Sequence, residues 1–245
     1  RAFLSGNFGK ETRVEFDLQD TWVFSPRFRS VFGLSYDRAD VSSTTYLNGS
    51  ADNTVWGLFA HAEWLFAPRW LLNVGAGQER DEDSGSFFSP KAALNWQFTD
   101  NQVLRMAYSE GVRTPDILET SADWRYVGRD VLDPDSGYGG TFFQTGQSTG
   151  APEETIASSE MGYFGRFDGI RLSADIRVFQ DRMKLAEHNL EVNGTPGFVI
   201  LPVESFRMRG AEASFDWRPL PSHRLQLNYA HLDMTGDLSN DNTNF

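Results

Sequence analysis

The chain contains no cysteine, which excludes a disulfide scaffold and any Cys-ligated metal centre. It has no run approaching the ~20 apolar residues of a membrane-spanning helix. Basic charge is scarce: 22 Lys+Arg against 34 Asp+Glu leave a net charge of -12. That balance is the reverse of the basic patch that marks a nucleic-acid partner. No charged-then-apolar leader opens the chain at Arg1-Ala2-Phe3. Neither a Gly-x-Ser-x-Gly elbow nor a His-Glu-x-x-His segment occurs. No catalytic residue, metal ligand or cofactor is therefore assigned.

What is present is rhythm. Short connections at Ser25-Pro26, Ala67-Pro68, Thr99 to Gln102, Phe167 to Gly169 and Pro219 to Ser222 alternate with long polar ones. The long ones run Asp37 to Asn53, Glu79 to Ser86, Val112 to Glu154, Ala186 to Gly197, and from Gly236 onward. Strict alternation reverses every strand and sends all long loops to one side, the organisation of outer-membrane β-barrels.

Between the turns, apolar residues recur every second position. Val14, Phe16, Leu18, Trp22 and Phe24 share one face, with Asp20 breaking the pattern, while Arg13, Glu15 and Asp17 share the other. The same alternation marks Phe28 to Tyr36, Trp56 to Phe66, Trp70 to Ala76, Phe88 to Phe98, Leu104 to Tyr108, Met161 to Tyr163, Leu172 to Val178, Ala211 to Trp217 and Leu225 to Tyr229. It predicts about ten antiparallel strands in hairpins. A β-sandwich would bury the apolar face; a membrane barrel would turn it to lipid.

Two features favour lipid. Aromatics make up 14% of the chain and crowd the short turns, as in Trp22, Phe24, Phe28, Trp64, Phe66, Trp70, Trp96, Phe98, Phe215 and Trp217. That is the pattern of an interfacial belt. Two turns nearly repeat, Phe24-Ser25-Pro26-Arg27-Phe28 and Phe66-Ala67-Pro68-Arg69-Trp70. The mean hydropathy of -0.44 looks soluble, but only alternate barrel residues face lipid.

Three stretches carry a family resemblance: Arg105 to Asp116 with its Gly111-x-Arg113-x-Pro115 corner, Glu154-Thr155 leading to Glu160-Met161-Gly162, and Arg209-Gly210-Ala211-Glu212 running to Pro219. Together they resemble the barrel of TonB-dependent outer-membrane receptors. The second match is imperfect, because Pro152 sits one residue early and Glu153 precedes Glu154.

The resemblance implies an all-β transmembrane antiparallel β-barrel, these strands being part of one with about 22. Residues 1–245 would be part of that barrel, with the plug domain, signal peptide and closing strands outside the chain. It implies an outer-membrane location in a Gram-negative bacterium and contact with outer-membrane lipid. It further implies TonB-dependent uptake of a scarce solute, foremost a ferric siderophore or similar chelate, with the receptor's own plug and the TonB complex as partners. Arg105, Arg113, Glu160, Arg177 and Glu212 would face the lumen, against the plug or against water. Arg105, Arg171, Arg177 and Arg224 are candidate partners for Glu160 and Glu212. Gly111 and Pro115 would bend the chain as it leaves the strand.

For the extracellular ligand, Trp124, Arg125, Tyr126 and Arg129 combine stacking faces with cationic forks in the longest loop. The alternative is an ordinary exposed loop packing its aromatics on neighbours. Glu79 to Asp83 offers carboxylates to a divalent cation but lacks EF-hand spacing, so a solvated charge run is expected there, as at Asp130, Asp133 and Asp135. The other functional classes are a stand-alone porin and an omptin-like surface protease. For the protease, His231 and Asp233 are the candidates, yet their phase turns them outward. A ten-strand sheet must either close on itself or be completed by further strands.

Overall fold

The structure, a computed structural model, describes residues 9–47, 49–127, 142–148, 153–184, 189–192, 195–199 and 203–238. In chain order the elements are β1 (Gly9–Ser25), β2 (Phe28–Ser43), β3 (Gly49–Ala67), β4 (Trp70–Asp81), β5 (Gly85–Thr99) and β6 (Gln102–Arg113). The short helix α1 (Ile117–Ser121) follows, then β7 (Asp123–Val127), β8 (Phe142–Ser148), β9 (Glu154–Phe167) and β10 (Leu172–Lys184). The last are β11 (Asn189–Val192), β12 (Thr195–Val199), β13 (Val203–Leu220) and β14 (His223–Leu238).

Ten strands form one antiparallel sheet in the order β1-β2-β3-β4-β5-β6-β9-β10-β13-β14. They are the ten that alternation in the sequence predicts. Pro26-Arg27 and Pro68-Arg69 make the repeated tight turns, with Arg69 at a φ of 73°. Pro90 interrupts one ladder: β5 pairs β6 only from Lys91 onward, since proline has no N–H to donate.

The two faces are inverted relative to a water-soluble sheet. Among the described residues, the buried hydrophobic side chains are Leu47, Ala122 and Ala174 alone. Val14, Phe16, Leu18, Leu58, Leu225, Leu227 and Tyr229 are each more than half exposed. Hiding a single leucine or phenylalanine from water is worth about 1.5–3 kcal/mol, so a face of this kind needs an apolar medium. Among the described residues no second layer covers it, which removes the sandwich alternative.

At the short-turn end the aromatics join into a band. Trp22 meets Phe24 and Phe32, Phe66 meets Trp64 and Trp70, and Trp70 stacks on its cross-strand neighbour Trp96 at 5.0 Å and 8°. Asp20, which breaks the apolar pattern, accepts a hydrogen bond from the Trp22 indole.

The strands run further than expected at the other end. The segment 37–53 is mostly ladder, with Asp37 to Ser43 in β2 and Gly49 to Asn53 in β3. Likewise β4 continues to Asp81 and β5 starts at Gly85, and β14 continues beyond Gly236 to Leu238. Beyond the apolar band both faces are polar, so hydrophobic alternation stops although backbone pairing does not. The long connections also contain strands: β12-β11-β8-β7 form a separate four-stranded sheet, in which β8 from one connection pairs β11 from the next.

Candidate functional site

The sheet face opposite the apolar one carries the polar residues, and its central feature is one arginine holding two glutamates. Arg177 Nη2 donates to Glu212 Oε2 at 2.7 Å, and Nη1 donates to Glu160 Oε2 at 3.3 Å. Register makes this possible: β10 lies between β9 and β13, with Arg177 directly opposite Gly162 on one side and Glu212 on the other. Arg105 is the next residue in that row, opposite Gly162 on β6. These groups line an open recess of about 870 Å³ together with Asn95 and Asp175. On its margin Ser214 donates to Asn228 at 2.8 Å.

The motif residues have separate physical reasons. A Cβ on Gly210 would lie 2.5 Å from the Phe179 ring. The absent side chain leaves that ring its place opposite Gly210, where the Arg177 guanidinium lies 5.2 Å from the ring centroid, in cation–π range. Arg209 points the other way and donates to Gln180 at 2.9 Å. Arg-Gly-x-Glu is thus one strand dividing its side chains between two faces, with Gly210 and Glu212 both serving Arg177.

Of the four arginines expected to partner the glutamates, Arg177 does so. Arg105 lines the same recess. Arg171 instead sits in the β9–β10 turn at a φ of 54°, and Arg224 pairs with Asp216 at 2.8 Å. The turn starts the strand one residue later than the alternation suggests, and Asp216 is closer in register to Arg224 than either glutamate.

Arg113 shares the phase of Arg105 but serves another structure. It donates to Glu119 at 2.7 and 2.8 Å and to Glu154 at 2.8 Å, and the Glu119 hydrogen bonds, then those of Glu154, push its guanidinium pKa up. Glu119 also closes a capping box with Asp116 at the start of α1. Arg113 therefore pins α1 to the end of β6 and β9. Gly111 does not bend the chain: it stays in the ladder opposite Ile156, and the described glycines with positive φ are Gly49 and Gly85. The strand ends after Arg113, and Pro115 with Asp116 opens the helix.

One backbone bond docks this region on the β2–β3 turn, and a second ties β8 to the end of α1. Asp123 N–H donates to the Tyr46 carbonyl at 2.7 Å, and Ser148 N–H to the Ala122 carbonyl at 2.7 Å. Trp124, Arg125 and Tyr126 lie in β7, paired with β8; their side chains, and all of Arg129, Asp130, Asp133 and Asp135, lie outside the described residues.

The acidic turn differs from a solvated charge run. Asp81 is 2% exposed; its Oδ1 accepts from the backbone of Asp83 at 2.8 Å and Ser84 at 2.9 Å, and its Oδ2 from Asn53 at 3.2 Å. Asp81 thus organises the β4–β5 turn. The remaining carboxylates crowd around it: partial burial, then Asp81, Asp52 and Glu82, push the Asp83 carboxyl up. His231 and Asp233 are exposed on β14, opposite Ala211 and Arg209.

Comparison with known proteins gives a consistent result. The siderophore receptor PirA from Pseudomonas aeruginosa superposes with a TM-score of 0.72 at 13% identity, covering 95% of this chain and 44% of that one. The FrpB iron transporter from Neisseria meningitidis gives 0.66 at 14% identity, covering 96% of this chain and 38% of that one. In sequence, the iron-regulated outer membrane virulence protein of Vibrio cholerae serotype O1 is 31% identical over 87 residues, 36% of this chain and 13% of that protein. The chain thus spans less than half the length of these relatives. The sequence model of the family described as TonB dependent receptor-like, beta-barrel, matches residues 4–245, and the chain belongs to that family.

Proposed function

We propose that this chain is part of the barrel of an outer-membrane receptor that takes up a ferric siderophore or similar metal chelate in a TonB-dependent manner. The family match over residues 4–245 is the observation that carries this. The names of the related proteins, siderophore receptor, iron transporter and iron-regulated outer membrane protein, support this class of solute. The ten strands are a sector of a larger barrel. Supporting this, β1 and β14 are the sheet's two edges, each exposed along its described length, and an open edge in lipid leaves unpaired groups costing several kcal/mol each.

In this mechanism no covalent chemistry occurs. The long connections capture the chelate, with Trp124, Arg125, Tyr126 and Arg129 as stacking and cationic contacts. A plug domain occupies the lumen against Arg105, Glu160, Arg177 and Glu212, and TonB, pulling from the periplasmic side, opens the path. Binding of ferric enterobactin, a ferric hydroxamate and haem to the purified full-length protein, followed by tryptophan quenching, tests the assignment. Saturable binding of one probe, with no bulk conductance in planar bilayers, is expected. Steady conductance with no binding would make the protein a porin instead.

A further inference from the structure

On the outward face, beyond the apolar band, the sheet sets two arginines directly opposite each other. Arg182 of β10 pairs in register with Arg207 of β13, and both are exposed. They follow Val178 and Ala211 in the phase that carries the apolar residues, with Gln180 and Arg209 intervening. Lys184, also exposed, extends the same side. Like charges directly opposite across strands are unfavourable, so such a pair needs a compensating anion.

None is supplied by the protein among the described residues. Arg182, Arg207 and Lys184 have no ion-pair partner there, and Arg209 is engaged only by the neutral Gln180. The nearest acids on this face are Glu110, two strands away in the row through Ala157 and already bonded by Tyr108, Asp233 beside Arg209, and Asp237, which stands opposite Ser205 in the row of Lys184. The contrast lies on β2. Arg38, at the same height on the same face, is neutralised by Asp40 and Asp52, both at 3.2 Å.

Height identifies the occupant. Arg207 stands about ten residues from Trp217 of the aromatic band; at ~3.3 Å per residue and a tilt of about 40° this is roughly 25 Å along the membrane normal. That equals the height of a barrel's apolar band, and it sets the cations at headgroup level on the long-loop side. We propose that Arg182 and Arg207, flanked by Lys184 and Arg209, are a docking surface for phosphate groups of the lipid headgroups in that leaflet. This rests on the membrane-barrel assignment above.

The test uses the full-length protein in neutral detergent, equilibrated with diphosphorylated lipid A or its dephosphorylated form, with bound lipid read by native mass spectrometry. Wild type is expected to retain the phosphorylated form preferentially, less so as salt is raised. Arg182→Gln with Arg207→Gln should weaken retention roughly thirtyfold, and Arg38→Gln should leave it unchanged. Because the double variant removes a repulsion, it should keep the heat-modifiable gel migration of a folded barrel. Equal retention of both lipid forms, a salt-independent wild type, or a folded double variant that binds like wild type would overturn the inference. Displacement by inorganic phosphate alone would overturn the headgroup as its source. Failure of the wild-type protein to insert into vesicles would overturn the barrel assignment itself, whereas insertion without phosphate preference would overturn this inference only.

Discussion

Arg177 on β10 and Glu212 on β13 face each other in register and are joined by a 2.7 Å hydrogen bond, with Glu160 completing a bridge across three strands. Arg177 is the charge that lets two carboxylates share one recess. Arg177→Met should lower stability by about 1 kcal/mol, a modest figure because the guanidinium is 43% exposed. Adding Glu160→Gln and Glu212→Gln to that variant should restore most of the loss, read as the midpoint of urea unfolding in vesicles. Equal stability of wild type and Arg177→Met would remove the bridge from the account.

Gly210 is held free of a side chain by the Phe179 ring and by the His231 backbone carbonyl, 2.5 and 2.8 Å from where a Cβ would stand. Gly210→Val should cost about 1–3 kcal/mol, the usual penalty of overpacking, and Phe179→Ala should relieve the part due to the ring, leaving the part due to the His231 carbonyl, in the double variant. Additive effects of the two substitutions would show that the ring is not what excludes the side chain.

Neighbouring positions on one strand should respond in opposite ways to a charge. Val74 is on the apolar face and Asn73 lines the polar one. Val74→Arg should destabilise the membrane-inserted protein by about 2–4 kcal/mol and Asn73→Arg by far less. Folding titrations into phosphatidylcholine vesicles compare them directly; equal costs would contradict the inverted faces.

The acidic turn predicts a pH dependence of definite sign. Partial burial and then the surrounding carboxylates raise the Asp83 pKa in the folded protein, so the ionised form is the penalised one. The penalty is fully present above the folded pKa, falls as pH drops through it, and vanishes below the unfolded value of about 3.9. Asp83→Asn should therefore stabilise the β4–β5 turn near neutrality and lose that advantage on acidification. Hydrogen exchange of the turn amides in both proteins reads the difference.

Period-two alternation made all ten strands of the large sheet legible, because one solvent, lipid, imposes a single requirement on every second residue from Val14 to Tyr229. It failed where lipid ends. Past Tyr36 and Trp56 both faces are polar, so continued pairing of Asp37 to Ser43 left no hydropathic trace. The β8–β11 pairing joins residues from separate connections, and neither segment encodes the other. The glutamates of the recess were legible from phase and family motif, but their common partner was not. Choosing Arg177 over Arg171 or Arg224 required the register, which places it directly across from Glu212. Asp81 was hidden among four other charged residues, and only its bonds to Asn53 and the turn backbone distinguish it.

Uptake of radioactive iron by cells producing the full-length protein as their sole receptor of this kind tests the central claim most directly. Ferric enterobactin and a ferric hydroxamate would be supplied separately, with TonB present or deleted. Accumulation of iron from one chelate that disappears on loss of either the protein or TonB is the predicted result. Accumulation that persists without TonB, or that does not depend on the protein for either chelate, would contradict it.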